Sequence, residues 1–369
     1  MPTYQKRGKT YQYTISRYIN GKYDPIRKGG FKKKSDAIAE AADIEARLKK
    51  GQTIHTKLEP VNEYFKNWVT LYKSEVSPGT KSLYNYSYEF INQHFGDMPL
   101  QHIRASDYQR FMNTLGKKYS KESVKKVNSH MRACVLDAID DGVIHADFTR
   151  KAVLTGKDSK PEGEKIISYK DASKLKKEII RCLQEEDRPV YYMILLALTS
   201  GMRYAEMIGL TRNDFNFTTN TITVNKTRGY LTYDGEGEKK TKNKTSNRII
   251  DMDDETMKIF NSYFERTPNN ILKLVFYNPA SKYKIYSNTG VRKALRKLLI
   301  SLDIDSSISI HGLRHTHASI LLYKDVSVDY VSQRLGHADI DTTLKVYSHL
   351  INERRIKDIR KTKKVLEAM

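Results

Sequence analysis

The longest apolar run in this chain, Val190 to Leu198, restricts its fold more than any other feature. A bilayer-spanning helix needs roughly 20 apolar residues, so a run this short is expected as a helix buried inside a folded domain. It leads into Thr199-Ser200-Gly201-Met202-Arg203-Tyr204-Ala205-Glu206. The glycine marks a break, which puts Arg203 at the mouth of the next helix and not in the middle of one. Further elements are expected around the buried helix. Asp171 begins a helix before it, and Thr221 to Val224, Tyr230 to Tyr233 and Arg248 to Asp251 read as short strands after it. Ser309 to Leu322, Val326 to Leu335 (ending at Gly336) and Asp341 to Leu350 read as helices.

Charge narrows the partner. Lys and Arg number 65 against 43 Asp and Glu, a net charge of +22. Such a field favours a polyanion, of which DNA and RNA are the commonest. No apolar segment follows Met1, where Pro2 to Lys9 is polar and basic, so neither an export signal nor a membrane partner is expected. Cys134 and Cys182 make neither a disulfide framework nor a metal quartet, which suits a reducing cytoplasm.

Composition and periodicity divide the chain into three expected domains, mainly α with small β-sheets. Residues 1–55 read as a three-stranded sheet plus a helix. Tyr11, Tyr13 and Ile15 alternate with polar neighbours, Asn20-Gly21 is a strong hairpin turn, Tyr23 to Lys28 is the return strand, and Ser35 is an N-cap. This unit holds thirteen Lys and Arg against five acids, and a small basic ribbon of this kind can enter a DNA major groove. Residues 58–157 read as a helical bundle. Phe65, Trp68, Val69 and Tyr72 recur at helical spacing, Gly96 follows the second helix, Ser106 opens a third and Ser120 a fourth. Those aromatic stripes are read as core rather than as base-stacking platforms. A polar stretch from Thr155 to Ile166 suits a linker, and 168–369 form a mixed α/β domain ending in a basic tail, 351–369.

The last domain carries the chemistry. His311-Gly312-Leu313-Arg314-His315-Thr316-His317 is followed by Leu335-Gly336-His337 and then by Tyr347. Arg grips a phosphate in a fork, His moves protons near neutral pH, and a phenol can be a nucleophile. Together they suit phosphoryl transfer without a metal. His315 and His317 beside His311 raise a zinc reading, but their spacing does not bring three His to one helix face and no fourth partner is evident. Taken singly, Tyr347 would be one surface tyrosine among 25, and Arg203 a salt-bridge partner. Their joint order is what points to chemistry.

Thr199 to Arg203, the Lys-rich segment 239–244, His311-x-x-Arg314, Leu335-Gly336-His337 and Tyr347 together resemble the tyrosine recombinases, in particular phage and conjugative-transposon integrases. The preceding bundle resembles that family's core-site DNA-binding domain, and the N-terminal unit its arm-site DNA-binding domain. The resemblance implies that Tyr347 attacks a DNA phosphate to leave a 3′-phosphotyrosine link. His311 would be the base, Arg203 and Arg314 would hold the non-bridging oxygens, and His337 would add a hydrogen bond. Lys242, six residues before Arg248, would protonate the departing oxygen, with Lys240 and Lys244 as alternatives. Glu206 would position Arg203. Neither a metal nor another cofactor is implied. The implied partners are double-stranded DNA at core and arm sites, a homotetramer assembled on it through the tail, an excisionase and a host DNA-bending protein, all in a bacterial cytoplasm at the nucleoid.

Three other readings stay open on sequence alone, the most distant being an RNA-binding protein. A type IB topoisomerase would use similar groups but relax DNA without pairing two sites, and a non-catalytic DNA-binding protein would form no covalent adduct.

Overall fold

The computed structural model of this chain describes residues 2–19, 21–49, 58–158, 166–229, 237–240, 246–341, 343–344, 363 and 366–367. Two units separate, Met1–Ser159 and Lys160–Met369.

The first unit opens with strands β1 (Thr3–Arg7), β2 (Thr10–Ile15), β3 (Tyr18–Ile19), β4 (Lys22–Tyr23) and β5 (Ile26–Phe31), then helix α1 (Lys34–Lys49). The antiparallel sheet has order β1-β2-β5. Side chains alternate across a strand, so Tyr13 and Ile15 are buried with Ile26, Ala37 and Ala41 while Gln12 and Thr14 face the other way. Gly21 has the positive φ of +79° that a tight hairpin demands. The return strand differs from the expected Tyr23 to Lys28. The hairpin closes only the short β3–β4 ladder, and the third strand of the main sheet begins afresh at Ile26. Asp24 explains the interruption: Arg17 Nε donates to both its carbonyl (2.9 Å) and its carboxylate (3.0 Å). Pro25 then has no N–H with which to continue a ladder. Ser35 is not the N-cap. It lies in the first turn of α1, where its hydroxyl donates to the Asp36 carboxylate instead of accepting a main-chain N–H.

Next in the same unit come α2 (Val61–Tyr72), α3 (Pro78–Phe95), α4 (Ala105–Lys118) and α5 (Lys121–Asp140). Their apolar stripes meet in one core that holds Val61, Phe65, Trp68, Ile91, Phe111 and Met131. Trp68 and Phe65 are core, as read from their spacing, whereas Tyr72 is exposed. The Trp68 indole still needs an acceptor when buried, and it donates to Asp137 at 2.6 Å. Ser120 caps α5 by accepting the Ser123 N–H at 3.3 Å. The third helix starts at Ala105, one residue before Ser106, because the Asp107 carboxylate accepts the Arg104 N–H (3.1 Å).

The second unit runs α6 (Tyr169–Glu186), α7 (Pro189–Ser200), α8 (Tyr204–Met207), β6 (Phe215–Asn216), β7 (Thr221–Val224), β8 (Lys226–Arg228), β9 (Glu238–Lys240), β10 (Arg248–Asp251), α9 (Asp254–Arg266), α10 (Asn288–Ser301), α11 (Ile310–Tyr323) and α12 (Val328–Leu335). Helix α7 is the buried element expected from the apolar run: every residue from Val190 to Leu198 is buried, and α6, α9, α10 and α11 pack on it. Strands β10, β7 and β6 form an antiparallel sheet, with Ile250 opposite Ile222 in the core. A separate hairpin pairs β8 with β9. The strand expected at Tyr230 to Tyr233 lies outside the described residues. Among those residues no helix is long and apolar enough to cross a membrane.

Candidate active site

Gly201 ends α7 with a φ of +68°, and its left-handed turn sets the position of everything that follows. The Ser200 hydroxyl accepts the Met202 N–H at 3.2 Å, and Arg203 becomes the N-cap of α8. Glu206 accepts the main-chain N–H of Arg203 (2.8 Å) and, with its other oxygen, Nη1 of the same arginine (2.8 Å). The carboxylate is almost wholly buried, while the Arg203 side chain remains 37% exposed. Burial alone would raise the Glu206 pKa. The hydrogen bonds and charge of Arg248, together with the charge of Arg203, hold it below the ordinary carboxylate value.

A second left-handed glycine, Gly336 (φ +66°), ends α12. The final carbonyls of a helix lack internal partners and carry its negative dipole end. Here arginines from distant elements fill that role. Arg314, buried on α11, bridges Gly201 O and Leu335 O, each at 2.8 Å. Arg203 Nη2 donates to Gly336 O at 3.1 Å, and Arg248 Nε to Arg334 O at 2.6 Å. His337, the next residue, bonds through Nδ1 to the Thr343 hydroxyl at 2.7 Å. Across from it the His311 and His315 rings meet edge to face with centroids 4.7 Å apart.

Arg203, Arg314, His311 and His337 are therefore brought together, with Arg203 and His311 on the open side. The His311 ring reaches solvent, yet partial desolvation, followed by the charges of His315, Arg314 and Arg203, lowers its pKa to about 4. Burial, then Arg314 and Arg203, lowers His337 to about 4. Lys242 and Tyr347 lie outside the described residues, as do the side chain of Lys240 and all of Lys244. Tail 351–369 is described only at 363 and 366–367.

Sequence reasoning left three contributors unassigned. Arg248 served only as a register mark, and Arg334 and His317 were given no role. His317 is buried: Nδ1–H donates to Leu198 O at 2.9 Å, and Nε2 accepts from Arg334 Nε at 3.0 Å. An imidazole accepting at Nε2 must be neutral, and burial, then the Arg334 charge, pushes its pKa down to about 3. Arg334 continues to Asp251 O and Thr199 O, so this pair joins α7, β10, α11 and α12. These partners stand 17 to 135 residues apart, and no local pattern announces them. Among the described residues no group of three His, Cys, Asp or Glu could hold a metal ion.

Two expectations follow. A Cβ at residue 201 would lie 2.7 Å from the His317 ring and 3.0 Å from Leu335. Gly201→Ala should therefore cost about 2–3 kcal/mol from overpacking and a disfavoured φ, read as a lowered midpoint in chemical denaturation. The second concerns pH. His317, His311 and His337 stay neutral in the folded chain down to pKa values of about 3, 4 and 4, whereas their ordinary value is 6.5. The unfolded chain therefore binds more protons below pH 6.5. DNA-free protein should lose stability as pH falls from 6.5 toward 4, and these groups should contribute no pH dependence above that window. Denaturation midpoints measured at pH 7.5, 6 and 5 check the sign.

The architecture is that of a tyrosine recombinase. A profile described as "Phage integrase family" matches residues 166–354, just over half of the chain. The chain belongs to that family and is a site-specific recombinase. Two further profiles match before it, "Arm DNA-binding domain" over residues 3–48 and "Phage integrase, N-terminal SAM-like domain" over 61–116. A tyrosine recombinase XerC-like protein of Caldanaerobacter subterraneus subsp. tengcongensis is 24% identical, with 95% of each chain covered. The ICEBs1 integrase of Bacillus subtilis is 23% identical, covering 92% of this chain and 93% of its own. Among solved structures, the Tn1549 transposon integrase in complex with a circular intermediate DNA shares the fold with a TM-score of 0.69 at 18% identity. That match covers 82% of this chain and 99% of the integrase. A lambda integrase tetramer bound to a Holliday junction gives 0.59 at 14% identity, covering 89% and 93%.

Proposed function

We propose that this recombinase cuts duplex DNA by attack of Tyr347 on a scissile phosphate, storing the broken bond as a 3′-phosphotyrosine link until a new 5′ hydroxyl displaces it. The observation that carries this reading is the meeting of Arg203 and Arg314 with His311 and His337 at the C-terminal turn of α12. In phosphoryl transfer, negative charge grows on the non-bridging oxygens, and preorganised guanidinium groups are suited to hold it. The lowered pKa of His311 keeps its imidazole neutral near pH 7, ready to take the phenolic proton. An arriving phosphate offsets the cations that depress that pKa, which favours the protonated state after transfer. His337 would donate to the same phosphate, and Lys242 would protonate the leaving 5′ oxygen.

The three matching profiles, over residues 3–48, 61–116 and 166–354, favour a division of DNA contacts in three: residues 1–55 on arm sites, 58–157 on core sites, and 168–369 on the scissile bond. On the sheet face turned away from α1, Gln5 stands opposite Gln12 and Thr14 opposite Arg27. Glutamine amides pair with adenine edges, and a ribbon of this width fits a major groove. Replacing Gln12 and Arg27 together with Ala should weaken arm-site binding at least about tenfold, at roughly 1–3 kcal/mol per lost base contact. Core-site cleavage should be unchanged; a gel shift on arm-site DNA and adduct formation on core-site DNA check the two halves. The DNA and tetramer named for the Tn1549 and lambda structures suggest four protomers on two duplexes. Excision and integration of a mobile element, helped by an excisionase and a host DNA-bending protein at the bacterial nucleoid, complete the reading.

The test is covalent trapping. Duplex carrying the attachment site and a nick beside the scissile phosphate is incubated with wild-type protein in EDTA, and any denaturation-resistant adduct is mapped by peptide mass spectrometry. A DNA-linked peptide containing Tyr347 is expected. Bound DNA without an adduct would sink the catalytic reading.

A further inference from the structure

Three arginines share the last carbonyls of α12, and the site assigns a phosphate to only two of them. Arg248 donates to Arg334 O at 2.6 Å, but its side chain is only 6% exposed. Its guanidinium instead meets Glu206 in a fork, Nη1 to Oε1 at 3.2 Å and Nη2 to Oε2 at 2.9 Å. The same carboxylate, 1% exposed, holds Arg203 by Nη1 at 2.8 Å and by its main-chain N–H at 2.8 Å.

This arrangement poses an electrostatic problem. A carboxylate in contact with Arg203 fixes its direction, but opposite unit charges so close cancel each other's field a few ångströms away. A lone Glu206 would orient Arg203 and disarm it together. A second cation on the buried carboxylate removes the conflict, since two guanidinium groups around one carboxylate leave a net charge of +1. Arg203 is the exposed member, so the surplus charge faces the open side. Room for Arg248 comes from Gly336, where a Cβ would lie 3.0 Å from Arg248 Nη1 and 3.2 Å from its Cδ.

We propose that Arg248 is a positioning residue for strand cleavage: it neutralises Glu206, so that Glu206 aligns Arg203 without cancelling the charge Arg203 presents to the scissile phosphate. The proposal rests on the assignment of Arg203 to that phosphate.

Single-turnover cleavage by the full chain tests it on two nicked duplexes, one with an ordinary scissile phosphodiester and one with a methylphosphonate there. The methylphosphonate carries no charge, so it relies less on a cation. Arg248→Gln should cleave the phosphodiester about 10- to 100-fold more slowly, somewhat less than the loss of a direct transition-state donor. Most of that deficit should vanish on the methylphosphonate. Arg248→Lys, which keeps the charge and loses the fork, should stay within about threefold of wild type, well short of a lost donor. The double variant Glu206→Gln with Arg248→Gln restores the net charge and should outperform Arg248→Gln alone. An equal deficit on both DNAs, equal losses for Gln and Lys, or a double variant no better than Arg248→Gln would each overturn the proposal by pointing to packing alone. Arg203→Ala on the same DNAs is the control. If its deficit is not relieved by the methylphosphonate, the assignment of Arg203 fails, and the proposal fails with it.

Discussion

Arg314→Ala is expected to bind attachment-site DNA and to cleave it at least about 100-fold more slowly, the loss typical of one transition-state donor. The effect should be compounded by structure. Arg314 is buried and bridges Gly201 O and Leu335 O, so it holds together the two left-handed turns that end α7 and α12. Removing it leaves carbonyls short of a donor, at about 1–3 kcal/mol for each that stays unsatisfied. Lysine should not rescue the variant, because a single ammonium cannot reproduce a planar fork that reaches two carbonyls and a phosphate. Thermal unfolding separates the two contributions. The midpoint should fall, and cleavage measured well below the new midpoint should still be slow. A variant that is destabilised yet cleaves at the wild-type rate would confine Arg314 to a structural role.

Tyr347→Phe should lose covalent adduct formation altogether, a drop of roughly 10⁴-fold or more, as when a nucleophile is deleted from a working site. Affinity for DNA should stay close to wild type, since the ring remains and only the hydroxyl goes. A free phenol has a pKa near 10, so Tyr347 as the proposed nucleophile would need a base that takes its proton during attack. That need couples this prediction to His311, the group proposed as the base, whose ring is neutral near pH 7. The readout is the nicked-duplex adduct, with gel-shift affinity measured in parallel. An adduct formed by Tyr347→Phe would move the nucleophile to another residue.

Legibility in the sequence followed the range of the interaction. Ser120 is readable as an N-cap because a hydroxyl bonds an N–H three residues on, a short link, whereas the same link at Ser168 starts α6 at Tyr169, two residues before the expected Asp171. Gly201 and Gly336 were readable as breaks for the same local reason. Errors arose where a nearby alternative competed. Ser35 lost the cap position because its hydroxyl found Asp36, and the return strand was split because Arg17 and Asp24 clamp the chain just before Pro25. At the candidate site, Arg203 and Glu206 could be paired from their spacing of three, whereas Arg248 reaches Glu206 from 42 residues away.

The chemistry available to this chain is legible in its residue order. The order of Arg203, His311, Arg314, His337 and Tyr347 marks the candidate groups, the apolar run Val190 to Leu198 demands a buried helix, and the basic excess points to a polyanion as partner. Those properties belong to residue types and short spacings, so a one-dimensional reading reaches them. Tertiary structure alone decided how the charges are arranged. It set three guanidinium groups on successive carbonyls at one helix end, one buried carboxylate between two of them, and a neutral His317 locked by Arg334. The physical reason is that a charge's strength and a histidine's protonation state depend on what lies within a few ångströms, and here those neighbours come from helices and strands far apart along the chain.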